Sequence, residues 1–356
     1  MEILHLGGVE QYARRSKLII IYEGQDITSE ITESILGCSY RDSINEFDTI
    51  ELTLEDRKGL WMGSWAPLKG DKLQVKFQMI DWKKTGIIEH NLGDFYIDDI
   101  GYNGPPQVVT LRGVSVDIAS NIMDSREYKS WEDVTLEEIA KDISEKCGIE
   151  VECDFDFNRT YKRVEQKLES DYTLLKRLCR EAGVTVKLYS NRLILFEESE
   201  YEKRDPQISL SKLDCKDYSF NIQDADTYSS CKISYYDYIL DENIEHTFKT
   251  KNRVGYKKNT QRVLFLNYDA AVPGETLQQK KEYLLKVAEK ELREKNKSET
   301  LGSVTLMGTE TQLSASDVIS LHSFGRFDGS YIITDITTEF AQYEQTLTIR
   351  RCLEGY

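Results

Sequence analysis

Residues 135–148, TLEEIAKDISEKCG, together with 170–183, SDYTLLKRLCREAG, and 184–196, VTVKLYSNRLILF, decide how this chain divides. Thr135 and Glu138 have capping-box spacing, in which each side chain satisfies the other residue's free backbone N–H. Leu136, Ile139, Ala140 and Ile143 follow at helical spacing, and Gly148 supplies a left-handed stop. An extended piece, Ile149–Phe157, comes next. Ser170-Asp171 opens a second helix with a cap and an acid in its positive first turn. Leu174, Leu175, Leu178 and Ala182 form its stripe, and Gly183 ends it. Val184–Tyr189 and Arg192–Phe196, joined by Ser190-Asn191, read as a hairpin. Each helix has one apolar face, so neither is stable alone, and the hairpin is the surface that covers both. Residues 121–200 are therefore expected to form a small α/β domain.

The flanks are β-rich. Residues 1–15 lack periodicity and read as an N-terminal arm. Within 16–120, strands are expected at Leu18–Tyr22, Ile35–Arg41, Asp48–Glu55, Asp71–Ile80, Phe95–Tyr102 and Val108–Val114. A turn at Gly24-Gln25-Asp26, a Trp-containing loop at Gly59–Gly70 and Gly104-Pro105-Pro106 separate them, as in a small barrel or sandwich. Residues 201–356 follow the charged linker Glu197–Pro206. Strands are expected there at Ser219–Gln223, Ser229–Tyr238, Glu245–Lys251 and Val263–Asn267. A second capping box, Thr276 with Gln279, opens a helix over 276–297 striped by Leu277, Leu284, Leu285, Ala288 and Leu292. Thr300–Met307, Val318–Ser323, Tyr331–Phe340 and Thr346–Cys352 close the chain. The expected class is α+β, mainly β, with two β modules of similar strand count around an α/β insert.

With 356 residues the chain has room for two or three cores. A formal charge of -16 repels phosphate backbones, which argues against sequence-specific nucleic-acid binding and anionic membrane surfaces. Solubility accounts for such a charge, and so does a wall past which DNA must slide. No signal-like segment is visible, and the longest apolar run, Leu18–Tyr22, is strand-sized. Cysteines 38, 147, 153, 179, 215, 231 and 352 form an odd set without a CxxC pair and read as buried thiols. Synthesis in a reducing cytoplasm is expected.

Chemistry-bearing motifs are sparse. Asp154, Asp156 and Asn158, with Glu165 at the twelfth position, have the spacing of a calcium loop. Arg159 stands where that loop needs glycine, so an exposed acidic turn is the better reading. His5, His90, His246 and His322 are scattered, and Cys179 sits among leucines as a packing thiol. Asp98-Asp99 and Glu197-Glu198 are acid neighbours of the kind a glycosidase uses, but 62 acids produce such pairs by chance. The sequence has no GxGxxG, Walker lysine loop, GxSxG or HExxH. No catalytic, cofactor-binding or metal residues are assigned, and no cofactor is expected.

Segment order carries a resemblance. Gln166-Lys167-Leu168-Glu169-Ser170-Asp171 leads into Leu174-Leu175-Lys176-Arg177-Leu178 and Ala182-Gly183. This resembles the Q-x-x-E-S-D-x-x-x-L-x-R-L-A-x-x-x-G signature of the phage late control gene D family, baseplate hub proteins of contractile tails. Cys179 replaces the usual alanine. Lys129-Ser130-Trp131 with Val134-Thr135-Leu136 and Ile139-Ala140 is similar to the family's S-W-x-x-x-T-L-x-x-I-A stretch. Gly93-Asp94-Phe95-Tyr96-Ile97-Asp98 before Gly104-Pro105-Pro106 is similar to G-x-F-x-I-D…G-P-P. Gly302–Met307 and Gly325–Ile333 resemble the closing strands, although Asp335-Ile336-Thr337 lacks the family's frequent histidine.

The resemblance implies two tail-tube-like β-barrels per chain with the insert between them. It implies a homotrimer whose six barrels adapt a sixfold tail tube protein to a threefold spike protein. Tape measure and baseplate wedge proteins are further implied partners, with DNA met only in passage and no membrane. The fold also occurs at the base of type VI secretion spikes and in phage-tail-like bacteriocins. Since no spike repeat follows Tyr356, a separate spike protein is expected. The alternative is a peptidoglycan hydrolase or carbohydrate-binding component of the same particle.

Overall fold

A computed structural model describes residues 15–82, 86–117, 120–156, 159–251, 262–269, 272–274 and 276–356. Most of the expected arm, His5, Phe157 and Asn158 lie outside the described residues. The N-terminal module contains β1 (Arg15–Tyr22), β2 (Gln25–Asp26), α1 (Thr28–Ile31), β3 (Ile35–Ser43), β4 (Thr49–Glu55), β5 (Lys72–Ile80), β6 (Ile87–Asn103) and β7 (Val108–Val114). Strand alternation puts Ile50, Leu52, Leu54, Leu73, Val75, Phe77 and Phe95 into one core. The turn after β1 is Glu23-Gly24, and Gln25-Asp26 already pairs back as β2. β6 starts well before Phe95, because Leu92 and Gly93 are consecutive buried positions at a register shift and break the alternation.

The insert contains β8 (Arg126–Thr135), α2 (Leu136–Cys147), β9 (Glu150–Asp154), β10 (Thr160–Ser170), α3 (Asp171–Ala182), β11 (Thr185–Tyr189), β12 (Arg192–Phe196) and α4 (Glu198–Tyr201). Both helices begin and end where their caps predict. Thr135 and Glu138 form the reciprocal box, and Gly148 and Gly183 sit at φ 66° and 67°. A side chain at Gly183 would also meet the Lys290 stem at 2.8 Å, so glycine is required there twice over. The hairpin β11–β12 carries β9 in parallel and covers both helices in one core.

Sequence patterning does not reveal β8 and β10, an antiparallel ribbon in which charged residues are interspersed throughout both strands. Its outer face is matched by ion pairs, Arg163 with Glu132 at 3.4 Å and Lys162 with Asp133 at 2.7 Å, and not by apolar burial.

The C-terminal region holds β13 (Ile208–Leu210), β14 (Cys215–Ile222), β15 (Ser230–Asp237), β16 (Glu242–Lys249), β17 (Val263–Tyr268), α5 (Leu277–Asn296), β18 (Thr300–Met307), β19 (Val318–Leu321), β20 (Gly329–Glu339) and β21 (Glu344–Arg351). It has two cores. One fills the second β module with Val304, Leu306, Ile319, Tyr331, Ile333, Leu347 and Ile349. The other lies between α5 and the separate sheet β16-β15-β17, through Leu284, Ala288, Leu292, Ile233 and Ile244. Both β modules share one 13-stranded sheet, in which β20 of the second pairs with β3 of the first. The fold is mainly β.

The segment Gln166–Asp171 has a clear local task. A register shift between Lys167 and Ser170, with Leu168 at φ 55°, turns β10 into α3. Asp171 is buried and accepts hydrogen bonds from Gln166 Nε2, Ser125 Oγ and Lys146 Nζ at 2.8, 2.8 and 2.9 Å. Burial would raise its pKa, but Lys146, Gln166 and Ser125 outweigh that and hold the carboxyl below its usual range. Asp171→Ala is expected to cost about 2–3 kcal/mol by stranding these donors. Denaturant unfolding followed by circular dichroism measures this, and a loss under about 0.5 kcal/mol would contradict the assignment.

Candidate functional site

The described residues that come together from distant parts of the sequence are those joining the modules. At the first joint, β20 residues Asp335–Glu339 pair with Ser43–Ser39 of β3, extending one module's sheet into the other. Arg41 reinforces the pairing by donating to Asp335 at 2.8 Å. Beyond β20, Phe340 and Tyr343 enter the N-terminal core, their ring centroids 4.6 and 4.7 Å from that of Phe77. Burying two aromatics of the second module inside the first contributes about 2–3 kcal/mol each, enough to couple their folding.

The second joint seats the insert on the N-terminal module. Lys187 of β11 contacts Asp42 of β3 and lies 3.4 Å from Asp48, and Asp42 also accepts from Ala315 N at 2.8 Å. Asp48 is fully buried and accepts from Tyr40 Oη at 3.1 Å and Ser43 N at 3.3 Å. Tyr40, Asp42 and Lys187 help to line a cavity of about 270 Å³, with His90 and Gln312 on its wall. Burial and the neighbouring Asp42 charge push Asp48 up to about 7, against the pull of Lys187. Burial opposes the charge on Lys187, but Asp42 and Asp48 more than offset it and raise its pKa.

The third joint is an ion-pair network under α4. Buried Arg350 of β21 contacts Glu198 and donates to Glu202 at 2.7 Å. Lys297 and Arg293 approach the same two acids at 3.1 and 2.9 Å, and Glu197 pairs with Lys290 at 2.7 Å. Burial would raise Glu198, but Lys297 and Arg350 overcome it and hold the carboxyl far below its usual range. Linker, long helix and closing strand are thus fastened at one point. Arg159 makes a further tie, donating to Glu181 O at 2.6 Å and Tyr268 Oη at 2.8 Å, and so links the insert to β17.

The residues weighed for chemistry are dispersed. Asp154 ends β9 and accepts from Tyr201 Oη at 3.2 Å, while Glu165 lies within β10, engaged by Arg163 and Lys167. Among the described residues no group of three His, Cys, Asp or Glu side chains is placed to hold a metal ion. Glu197 and Glu198 are both engaged by cations. Asp98 sits at a register shift in β6, raised by burial. His90 and His322 contact Gln312 and Ser209. Cys38, Cys179 and Cys231 are buried and the other four half-buried; burial pushes Cys38, Cys231 and Cys352 up to about 12, well away from a reactive thiolate. Among the described residues no helix is long and apolar enough to cross a membrane. Apart from Glu197 and Glu198, weighed only as an acid pair, the buried acids and cations of the joints carry no local sequence signal, since their partners lie 91 to 152 positions away.

Asp48 makes the second joint pH-dependent. Its folded pKa lies above the unfolded value of about 3.9, so between the two the native state holds a proton that the unfolded chain does not. That stabilisation is full below about pH 4 and is lost as pH rises through about 7. Glu198 and Asp171, with lowered values, lose their contribution only at more acid pH, outside this window. Denaturant unfolding is expected to show greater stability at about pH 5.5 than at pH 8, by on the order of 1–2 kcal/mol. Asp48→Asn should remove at least half of that difference; an unchanged slope would rule out Asp48 as its source.

No family model matches the chain. Two relatives do. It is 26% identical over 217 residues to the probable baseplate hub protein of Escherichia phage 186, covering 59% of this chain and 54% of that protein. Against the probable baseplate hub protein of Escherichia phage P2 the identity is 27% with the same coverage. The matched region thus spans about half the length of these relatives. Among solved structures, the 43 kDa tail protein of prophage MuSo2 from Shewanella oneidensis superposes with a TM-score of 0.69 at 14% identity, covering 95% of this chain and 99% of that one. The tail protein from Neisseria meningitidis gives 0.66 at 12% identity, covering 94% and 96%. An Escherichia coli type VI secretion component gives 0.51 at 12% identity over 91% and 75%. The chain has the fold of phage tail proteins and is related in sequence to phage baseplate hub proteins, the family its ordered segments resemble.

Proposed function

We propose that this chain is a structural hub of a phage-type tail baseplate, acting as an adaptor and not as an enzyme. The observation that carries the reading is the β3–β20 joint, which makes two β modules of one chain into a continuous sheet. Three such chains supply six modules, so one ring offers sixfold contacts to a tail tube protein and threefold contacts to a spike protein. The full-length fold likeness to tail proteins supports this, as does the sequence likeness to two baseplate hub proteins. The insert, fastened by the second and third joints, keeps the modules at a fixed relative orientation, as an adaptor under axial load requires. Domain limits of 16–120, 121–200 and 201–356 belong to this reading, as do tape measure and wedge contacts, DNA passage and cytoplasmic synthesis before assembly into the particle. Glu197 and Glu198 serve as ion-pair partners and perform no hydrolysis.

Electron microscopy of particles made from the chain's own genomic locus tests the reading. The expected result is a threefold ring of six density lobes between tube and spike, lost when the gene is deleted. A particle without the chain, or with the chain in a single copy, overturns it. A cleared zone on peptidoglycan abolished by Glu198→Gln in a stably folded variant would overturn the non-enzymatic part.

A further inference from the structure

We propose that the groove between the β1–β2 hairpin and loop 59–70 docks a basic, apolar segment of a different protein of the particle; this rests on the hub reading. The groove has a volume of about 480 Å³, within the range that takes several large side chains. Tyr22, Ile27, Ile31 and Trp61 contribute to its wall, with Trp65 at its mouth.

The loop holds a fixed shape. Asp56 Oδ1 accepts from Leu60 N at 2.8 Å and Trp61 N at 3.3 Å, and Trp65 N donates to Leu60 O at 2.8 Å. Tyr102 Oη donates to Trp61 O at 2.8 Å, and the two indoles meet edge to face at 5.8 Å. On this frame Met62, Trp65 and Leu68 stand 65%, 42% and 69% exposed. Single exposed apolar residues are ordinary, but three on one ordered loop beside an apolar groove form a contact surface.

Charge selects the occupant. Asp26 and Glu30 lie on the groove's rim, and neither forms an ion pair among the described residues. Asp26 accepts from Thr28 N and feels the Lys17 charge at a distance, and Glu30 accepts from Ser29 Oγ, so neither carboxylate has a cation in direct contact among the described residues. A segment presenting an aromatic or aliphatic anchor beside a lysine or arginine satisfies groove and rim together. The groove also lies at β2, the last strand of the sheet path, so its occupant leaves the β3–β20 joint untouched.

Replacing Leu68 with photoreactive benzoylphenylalanine in assembled particles, followed by irradiation and mass spectrometry, tests this. The expected product joins position 68 to a different chain, within a segment pairing a large apolar side chain with Lys or Arg. Met62→Ser and Glu30→Lys, both at exposed positions, should each lower the cross-link yield about tenfold without changing the thermal midpoint. A cross-link to a second copy, to an acidic segment, or none at all while the chain is present in the particle overturns this inference alone. Absence of the chain from the particle overturns the hub reading and this inference with it.

Discussion

The pairing of Asp335–Glu339 with Ser39–Ser43 sets the terms for the rest of the molecule, because it makes two β modules one hydrogen-bonded sheet. A sheet edge left open is a template for unintended pairing, and here each module covers an edge of the other. Phe340 and Tyr343 then continue from β20 into the N-terminal core, so the second module cannot unfold without removing aromatic contacts from the first. Backbone pairing fixes the register and the aromatic insertion fixes the depth. Neither alone would prevent the modules from hinging.

The insert is fixed by different means. Buried ion pairs join it to the modules, Lys187 with Asp42 and Asp48 and Arg350 with Glu198 and Glu202, beside apolar contacts of Tyr172 with Phe47 and of Phe196 with Ile44, Ala315 and Ile332. Buried ion pairs add little net stability over apolar packing of similar volume, but they tolerate only one geometry. Apolar faces slide with modest loss, whereas a buried carboxylate moved a few ångströms from its guanidinium is stranded.

Helix ends were legible in the sequence because capping is local. Thr135 with Glu138, Ser170, Thr276 with Gln279, Gly148 and Gly183 all do what their spacing indicates. Most strands of the first module were legible too, since one buried face gives clean alternation. The ribbon β8–β10 was not, because its charged outer face satisfies itself across the strands and leaves no apolar period to read. The separate core under α5 was hidden for another reason: its strands alternate like those of the neighbouring module, and only pairing partners distinguish them. The joints escaped because their geometry depends on contacts far apart in sequence.

Some of the residues that carried the family resemblance are core positions such as Leu174, Leu178 and Phe95, and others stand where the backbone does something unusual. Gln166 and Asp171 close the register shift into α3, and Gly183 permits both a left-handed cap and the approach of α5. Gly302 lies where any side chain would come within 2.6 Å of the Phe220 ring, which itself stacks on Phe327 at 4.7 Å. Core positions, by contrast, accept many apolar residues of suitable volume. A fold held at 12–14% identity across tail proteins is therefore understandable in physical terms. Packing constrains volume and period, which many sequences satisfy, while turns, caps and close approaches constrain identity at a few points. Those points stay readable in order along the chain when the strands between them no longer align.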